Sequence, residues 1–257
     1  MNPVRPKKSL GQHFLTDQSI AKRIVEQLSP EVKTVIEVGA GTGVLTQYMA
    51  NDIMDKFYVI EIDTESIAYL KANFPMLGDH LIHGDFLRAD LNQYGTQDMA
   101  IIGNFPYNIS SQIFFQVLKH KEIVVEVVGM VQKEMADRMA AKEGSKTYGI
   151  LSVLMQAWYD IEYLFTVHEN VFNPPPKVKS AVIKMRRNAV TELGCDEKLF
   201  VTIVKQAFNQ RRKTMRNSLR TLLSPDIIEN EIFNKRPEQL SVKEFIDLTN
   251  FIGAHPM

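Results

Sequence analysis

The sequence predicts an α/β protein: a doubly wound, mostly parallel sheet followed by a small all-helical domain. Three observations carry that prediction. Short apolar runs, continuous rather than alternating, are separated by helical stretches, as in strands covered on both faces. The first of these runs leads straight into the glycine turn Gly39-Ala40-Gly41-Thr42-Gly43. Near residue 188 the alternation ends and only helical patterns follow. The expected domains are therefore 1–187 and 188–257, and a chain of 257 residues can bury one large core and a second small one.

Residues 1–16 carry Arg5, Lys7 and Lys8, two prolines and no acid before Asp17, which reads as an extended basic arm. A helix follows, capped by Thr16 or Asp17, with Ile20, Ile24, Val25 and Leu28 on one face and Ser29-Pro30 ending it. Strands are expected at Thr34–Val38, Phe57–Glu61, Leu81–Ile82, Met99–Gly103 and Ile123–Met130. Between them lie helices from about Val44, over 65–73, and from Ser110, the last with Ser110 as its cap. A helix over Gln132–Ala141 leads to the polar loop 142–149, which suits a mobile lid, a substrate contact or, equally, a solvated connector. Another helix (150–159), a strand (161–167), a proline-stiffened loop from Val171 to Lys177 and a strand over Ser180–Met185 close the domain. The tail opens with a helix over about 196–209.

Composition excludes more than it assigns. Formal net charge is zero, so a nucleic-acid partner must be argued from local clusters. Five basic residues fall between 177 and 187 and six between 201 and 220, with no acid in either segment. Such runs are either a phosphate footprint or a solvated helix face. The single cysteine, Cys195, rules out an intrachain disulfide, and the six histidines lack metal-ligand spacing, so no metal is expected. No apolar stretch approaches the ~20 residues that span a bilayer, and the basic N-terminus has no apolar core of a secretory signal. The expectation is a soluble, cytoplasmic protein, monomeric for want of any sign of an obligate dimer.

The chemistry-bearing residues fall at strand ends. A glycine turn there lets a ligand approach the backbone and meet helix N–H groups. Its spacing is E-x-G-x-G-x-G, opened by Glu37. Glu61, about 20 residues beyond the glycines, stands where a carboxylate grips ribose hydroxyls, with Asp63 as a competing candidate. Asp85, followed by Phe86, could accept from an adenine amino group. Pro106 forces the chain out of the sheet after Gly103, leaving Asn104-Phe105-Pro106-Tyr107 facing the ligand crevice. The Asn104 amide oxygen and a main-chain carbonyl, that of Phe105, can accept the two N–H groups of a planar base's amine, and Tyr107 offers a stacking face. An Asx-Pro turn with a half-buried tyrosine is the competing reading.

Together these signals resemble the KsgA/RsmA family of ribosomal RNA adenine dimethyltransferases over nearly the whole chain. Seven blocks in family order carry the resemblance: Gly11–Leu15 (GQHFL), Glu37–Gly43 (EVGAGTG), Asn104–Ser110 (NFPYNIS), Gln132–Arg138 (QKEMADR), Gly144–Gly149 (GSKTYG), Phe172–Val178 (FNPPPKV) and Ala207–Thr214 (AFNQRRKT). The family usually has asparagine where His13 stands and proline where Glu143 stands.

The resemblance implies a Rossmann-like class I methyltransferase sheet and S-adenosylmethionine as methyl donor. It implies methylation of two adjacent adenosines near the 3′ end of small-subunit rRNA to N6,N6-dimethyladenosine, late in subunit biogenesis. By residue, it places His13, Leu15, Gly39, Gly41, Glu61, Asp85 and Asn104 at the cofactor. Asn104, Phe105, Pro106 and Tyr107 would hold the target amine, with Tyr107 and Phe172 sandwiching the extruded base. Lys7, Lys8, Lys177, Lys179, Arg211, Arg212, Lys213 and Arg216 would contact RNA. The rivals are an Erm-type large-subunit rRNA enzyme, a DNA adenine-amine methyltransferase with a similar clamp, and a non-catalytic ribosome-assembly factor.

Overall fold

The computed structural model describes residues 4–50 and 56–255. Residues 1–3, the start of the expected basic arm, lie outside the described residues, as do 51–55 and 256–257. The strands are β1 (Phe14–Leu15), β2 (Thr34–Val38), β3 (Phe57–Glu61), β4 (Leu81–His83), β5 (Met99–Asn104), β6 (Val124–Gln132), β7 (Tyr159–Val167), β8 (Phe172–Asn173) and β9 (Ser180–Arg187). The helices are α1 (Gln18–Val25), α2 (Thr46–Met49), α3 (Thr64–Asn73), α4 (Ser110–Lys119), α5 (Lys133–Met139), α6 (Ile150–Gln156), α7 (Glu197–Asn209), α8 (Met215–Ser218) and α9 (Val242–Gly253).

The chain divides into two compact units. One comprises the described residues up to Ala136 with Ile161–Arg187; the other comprises Asp137–Asp160 with the chain from Asn188 onward. Residues 137–160 thus group with the tail, which a single boundary at 187/188 does not include. The reason is apolar: α6 packs on α7 and α9, and the buried Tyr148 meets Phe208 edge-on at 6.2 Å. The polar loop 142–149 is anchored inside this unit, with Gly144 N–H donating to the Glu238 carbonyl at 2.6 Å and Arg211 to that of Ser145 at 3.2 Å.

In the first unit seven strands form one sheet in the order β4-β3-β2-β5-β6-β9-β7. β2, β3, β4, β5 and β6 are parallel, and β9 runs antiparallel to β6. Every residue of β2 is buried, as are the first five of β5, so their valine- and isoleucine-rich runs need no polar face. The chain winds outward from β2 through β3 to β4, then returns to β5 on the other side. That reversal puts the carboxyl ends of β2 and β5 side by side at the topological switch point.

Several expected elements are displaced. Ser110 is not a cap but the first residue of α4, donating its hydroxyl to the Pro106 carbonyl at 2.8 Å. Asp17, rather than Thr16, caps α1, accepting from the N–H groups of Ser19 and Ile20. α2 is short, and α5 and α6 end two or more residues before the expected bounds. β1 and β8 were invisible in the sequence; they pair antiparallel, Phe14 opposite Asn173 and Leu15 opposite Phe172.

A buried charge cluster pins the segment after α1 to the sheet. Glu126 on β6 is 2% exposed and Lys184 on β9 is 6% exposed, with 3.2 Å between their charged atoms. Glu126 also accepts from the Ser29 N–H at 2.8 Å and from its hydroxyl, while Lys184 donates to the Gln27 carbonyl. Removing one member of such a pair strands the other charge, at a cost of about 3–5 kcal/mol. Glu126→Ala is therefore expected to lose about that much in urea unfolding, and Glu126→Leu/Lys184→Met to recover most of it. A loss below about 1 kcal/mol for Glu126→Ala would show the pair to be solvated.

Candidate active site

The cleft at the switch point has a volume of about 290 Å³, close to the lower bound of ~300 Å³ for small-molecule sites. Its walls come from the arm segment Ser9–Phe14, the ends of β2 and β3, Gly84–Leu87, and Asn104–Ile109 after β5. His13, Gly39, Gly41, Glu61, Asp85 and Asn104–Tyr107 all line it. Leu15 instead lines a small adjoining cavity with Glu37, Gly39 and Asn104.

The floor follows from the glycine turn. Gly39 and Gly41 adopt φ of 70° and 57°, which favours glycine, and a Cβ on Gly41 would sit 2.8 Å from the Phe14 ring. The Gly41 N–H donates to Glu61 Oε2 at 2.9 Å and the Asp63 N–H to Glu61 Oε1 at 2.8 Å. Glu61 is 3% exposed; burial pushes its carboxyl upward, opposed by these two N–H groups. Asp63, the competing ribose candidate, is committed elsewhere. It caps α3, accepts from Ser66 at 2.9 Å and pairs with Lys7. Burial raises the Asp63 carboxyl, but the bonds from Lys7 and Ser66 outweigh it and hold the group below the ordinary range.

The opposite wall is Asn104–Tyr107. Asn104 Nδ2 donates to the His13 carbonyl at 2.8 Å, which turns the amide so that its oxygen is left as an acceptor. The Phe105 ring is fully buried, edge-on to Phe114 at 5.9 Å, and a Cβ on Gly103 would come within 2.9 Å of it. The Phe105 N–H bonds the Met130 carbonyl at 3.0 Å, carrying the sheet ladder one residue past β5. The Pro106 carbonyl accepts from Ile109 N–H at 3.2 Å as well as from Ser110, whereas no bond to the Phe105 carbonyl occurs among the described residues. One face of Tyr107 is covered by His13, whose ring lies 5.4 Å away at 26°, and its hydroxyl meets that of Ser180 at 2.5 Å. His13 in turn donates from Nδ1 to the Pro174 carbonyl at 2.8 Å. This arrangement can hold an –NH₂ group between two acceptor oxygens beside an aromatic ring.

Phe172 is placed otherwise than expected. It is 4% exposed, packs in the core cluster with Leu15, and does not line the cleft, because β8 pairs with β1 and turns the ring inward. The cationic residues also divide. Lys8, Lys177, Lys179, Arg212 and Lys213 are exposed and in no ion pair among the described residues. Lys7 is paired with Asp63 and Glu65, Arg211 is bonded to Ser145, and Arg216 is paired with Glu229 at 3.1 Å. Within 177–187, Lys184 and Arg186 face Glu126, and Arg187 bonds the Lys121 carbonyl at 3.1 Å, so that run is only partly a surface. Ser180 and Asn108, which faces Gly11 closely, had no distinguishing signal of their own.

A family model described as ribosomal RNA adenine dimethylase matches residues 4–253. A protein of Phocaeicola vulgatus named ribosomal RNA small subunit methyltransferase A is 57% identical, over 99% of this chain and 92% of its own length. One of the same name from Cytophaga hutchinsonii is 58% identical, over 99% and 100%. A dimethyladenosine transferase from Plasmodium falciparum superposes with a TM-score of 0.76 at 24% identity, over 94% of this chain and 98% of that one. The 23S rRNA methyltransferase ErmE does so with a TM-score of 0.66 at 24% identity, over 92% and 99%. These two likenesses show the fold.

Glu37, 1% exposed, accepts from the Thr46 hydroxyl at 2.7 Å, yet burial pushes its carboxyl up to about 8, with the nearby Glu61 adding to the rise. Between about 4.5 and 8 the folded chain keeps a proton that the unfolded chain has lost, so Glu37 makes stability fall as pH rises. Glu37→Gln removes that slope. Urea unfolding at pH 5 and pH 8 should show the variant gaining on the parent by an amount on the order of a few kcal/mol at the higher pH. An unchanged difference would mean that Glu37 is ionised in the folded protein.

Proposed function

The chain belongs to the ribosomal RNA adenine dimethylase family, and from that premise we propose that it methylates the N6 amine of adenosine in small-subunit rRNA to N6,N6-dimethyladenosine. The targets are two adjacent adenosines near the 3′ end, methylated during late subunit biogenesis. The observation that carries this reading is the Asn104 amide, turned by its bond to the His13 carbonyl so that its oxygen is left to accept at the head of the cleft. The relatives at 57% and 58% identity bear small-subunit names, whereas the large-subunit alternative rests on a likeness in fold alone.

The methyl donor is S-adenosylmethionine, and the residues present fit it. Gly39 leaves the backbone open at the cleft, where a Cβ would meet nothing nearer than 4.0 Å, and Glu61 keeps acceptor capacity for ribose hydroxyls beyond the two N–H groups it already accepts. Asp85, at the cleft wall beside the buried Phe86, suits an adenine amino group. His13 and the neighbouring Leu15 would flank the methionine end. When bound, the donor supplies a methyl group already activated on a positively charged sulfur.

The protein's part is to make a poor nucleophile attack. An exocyclic adenine amine is weak because its lone pair is delocalised into the ring. Asn104 Oδ1 and the Phe105 carbonyl accept its two N–H groups, favouring a pyramidal nitrogen and stabilising the positive charge that grows there. Holding the amine in line contributes much of the remaining rate. No general base is required, since the product ammonium is acidic enough to lose a proton to water. On the second transfer one N–H remains, so one acceptor suffices. The base must leave its stack, at a few kcal/mol, and stacking on Tyr107 returns roughly 1–3 kcal/mol. Lys8, Lys177, Lys179, Arg212 and Lys213 would meet RNA phosphates, with affinity that falls as salt rises.

Asn104→Ala is expected to lower the methyl-transfer rate by at least 10²-fold, comparable to removing one oxyanion-hole group, while RNA affinity by filter binding stays within about twofold. Transfer at the parent rate would remove Asn104 from the clamp.

A further inference from the structure

We propose that Ser180 is a positioning residue for this reaction, fixing the Tyr107 ring before the target base arrives. The inference rests on the reading of Asn104–Tyr107 as the amine clamp. Ser180 opens β9 and is wholly buried, opposite Gln132 of β6. The strand is pinned there by the bond from Lys133 N–H to the Lys179 carbonyl at 2.9 Å. Its hydroxyl makes one side-chain bond among the described residues, to the Tyr107 hydroxyl at 2.5 Å.

That pairing is not what packing alone selects. Serine gains little in a strand, and a buried hydroxyl costs stability unless it is bonded. Alanine or valine at 180 would serve the core, and phenylalanine at 107 would give the same stacking area. What the two hydroxyls add together is orientation. Tyr107 follows Pro106 at the exit from β5, where no sheet ladder restrains its side chain. Ser180 holds the ring's tip and His13 covers one face, His13 itself being fixed by the Pro174 carbonyl. Burial raises the Tyr107 hydroxyl's proton affinity, against a smaller opposing effect of Ser180, so the phenol stays neutral. A ring held at tip and face has lost its alternative rotamers already, and a base stacking on it does not have to restrain them. The benefit appears in the transfer step rather than in cofactor binding.

The test uses the full chain, with unmethylated small ribosomal subunits and labelled S-adenosylmethionine, on Ser180→Ala, Tyr107→Phe, the double variant, Ser180→Thr and Asn104→Ala. Ser180→Ala is expected to lower kcat by about two- to tenfold, as for one neutral hydrogen bond, with KM for the cofactor unchanged and the thermal midpoint lowered by no more than the few degrees one lost bond costs. Tyr107→Phe should fall equally, and the double variant no further, because each single change already removes the shared bond. Ser180→Thr, which keeps the hydroxyl, should restore at least half of the lost rate. Tyr107→Phe probes the same bond with Ser180 in place, should Ser180→Ala fail to fold. Parent kcat in Ser180→Ala, or losses that add in the double variant, with Asn104→Ala inactive, would overturn the positioning role alone. Parent activity in Asn104→Ala would overturn the clamp, and the positioning role with it.

Discussion

The bond from Asn104 Nδ2 to the main-chain carbonyl of His13, 2.8 Å long, joins the two parts of the chain on which the cleft depends. One end is the exit from the central strand; the other is an arm with little regular structure of its own. The bond uses the amide's donor and so leaves its oxygen as an acceptor. It also holds the arm over the glycine turn, where Phe14 lies against Gly41 so closely that a side chain there would collide with it. The β1–β8 pair and the bond from His13 to the Pro174 carbonyl then bring the proline loop to the same place. Phe105 anchors the other side, its ring buried beneath the clamp so that the backbone above cannot sag.

The acids around the cleft show how burial assigns roles. Glu37, Glu61 and Asp63 lie within one or two residues of strand ends, and all three are buried. Asp63 is spent on a helix cap and on Lys7, and it is held ionised. Glu37 accepts from Thr46 but from no cation among the described residues, and burial pushes it toward the neutral acid. Glu61 lies between them: burial raises it, backbone N–H groups oppose that, and it lines the cleft. Of the three, it is the one that lines the cleft with a partly compensated charge, as the proposed ribose contact requires.

Much of this was legible in the residues. The strands of the parallel sheet announced themselves as unbroken apolar runs, and the glycine turn, Glu61, Asp85 and Asn104–Tyr107 fell into one cleft because strand ends in such sheets share an edge. The two-residue strands were hidden, since Phe14–Leu15 and Phe172–Asn173 are too short to carry a pattern and pair across most of the chain. Phe172 read as a stacking ring and is instead core, for the same reason. Lys184 sat in a basic run that suggested surface. The acid at Glu126, inside an otherwise apolar strand, was the sign that a buried cation was needed nearby. Lys7, Arg211 and Arg216 looked like free charges because one-dimensional spacing does not reveal Asp63, Ser145 and Glu229 as their partners. The loop 142–149 read equally as a mobile lid, a substrate contact or a solvated connector, because nothing in one dimension shows that Tyr148 fastens it to Phe208.

The most direct test of the proposed methyl transfer is product analysis after transfer from labelled S-adenosylmethionine. Unmethylated small ribosomal subunits, free rRNA and duplex DNA would be offered separately, and the digested nucleosides separated by mass. The expected products are N6,N6-dimethyladenosine from the small subunit and no label in DNA. Labelled DNA, or tight binding to the subunit with no label in any nucleoside, would contradict the proposal.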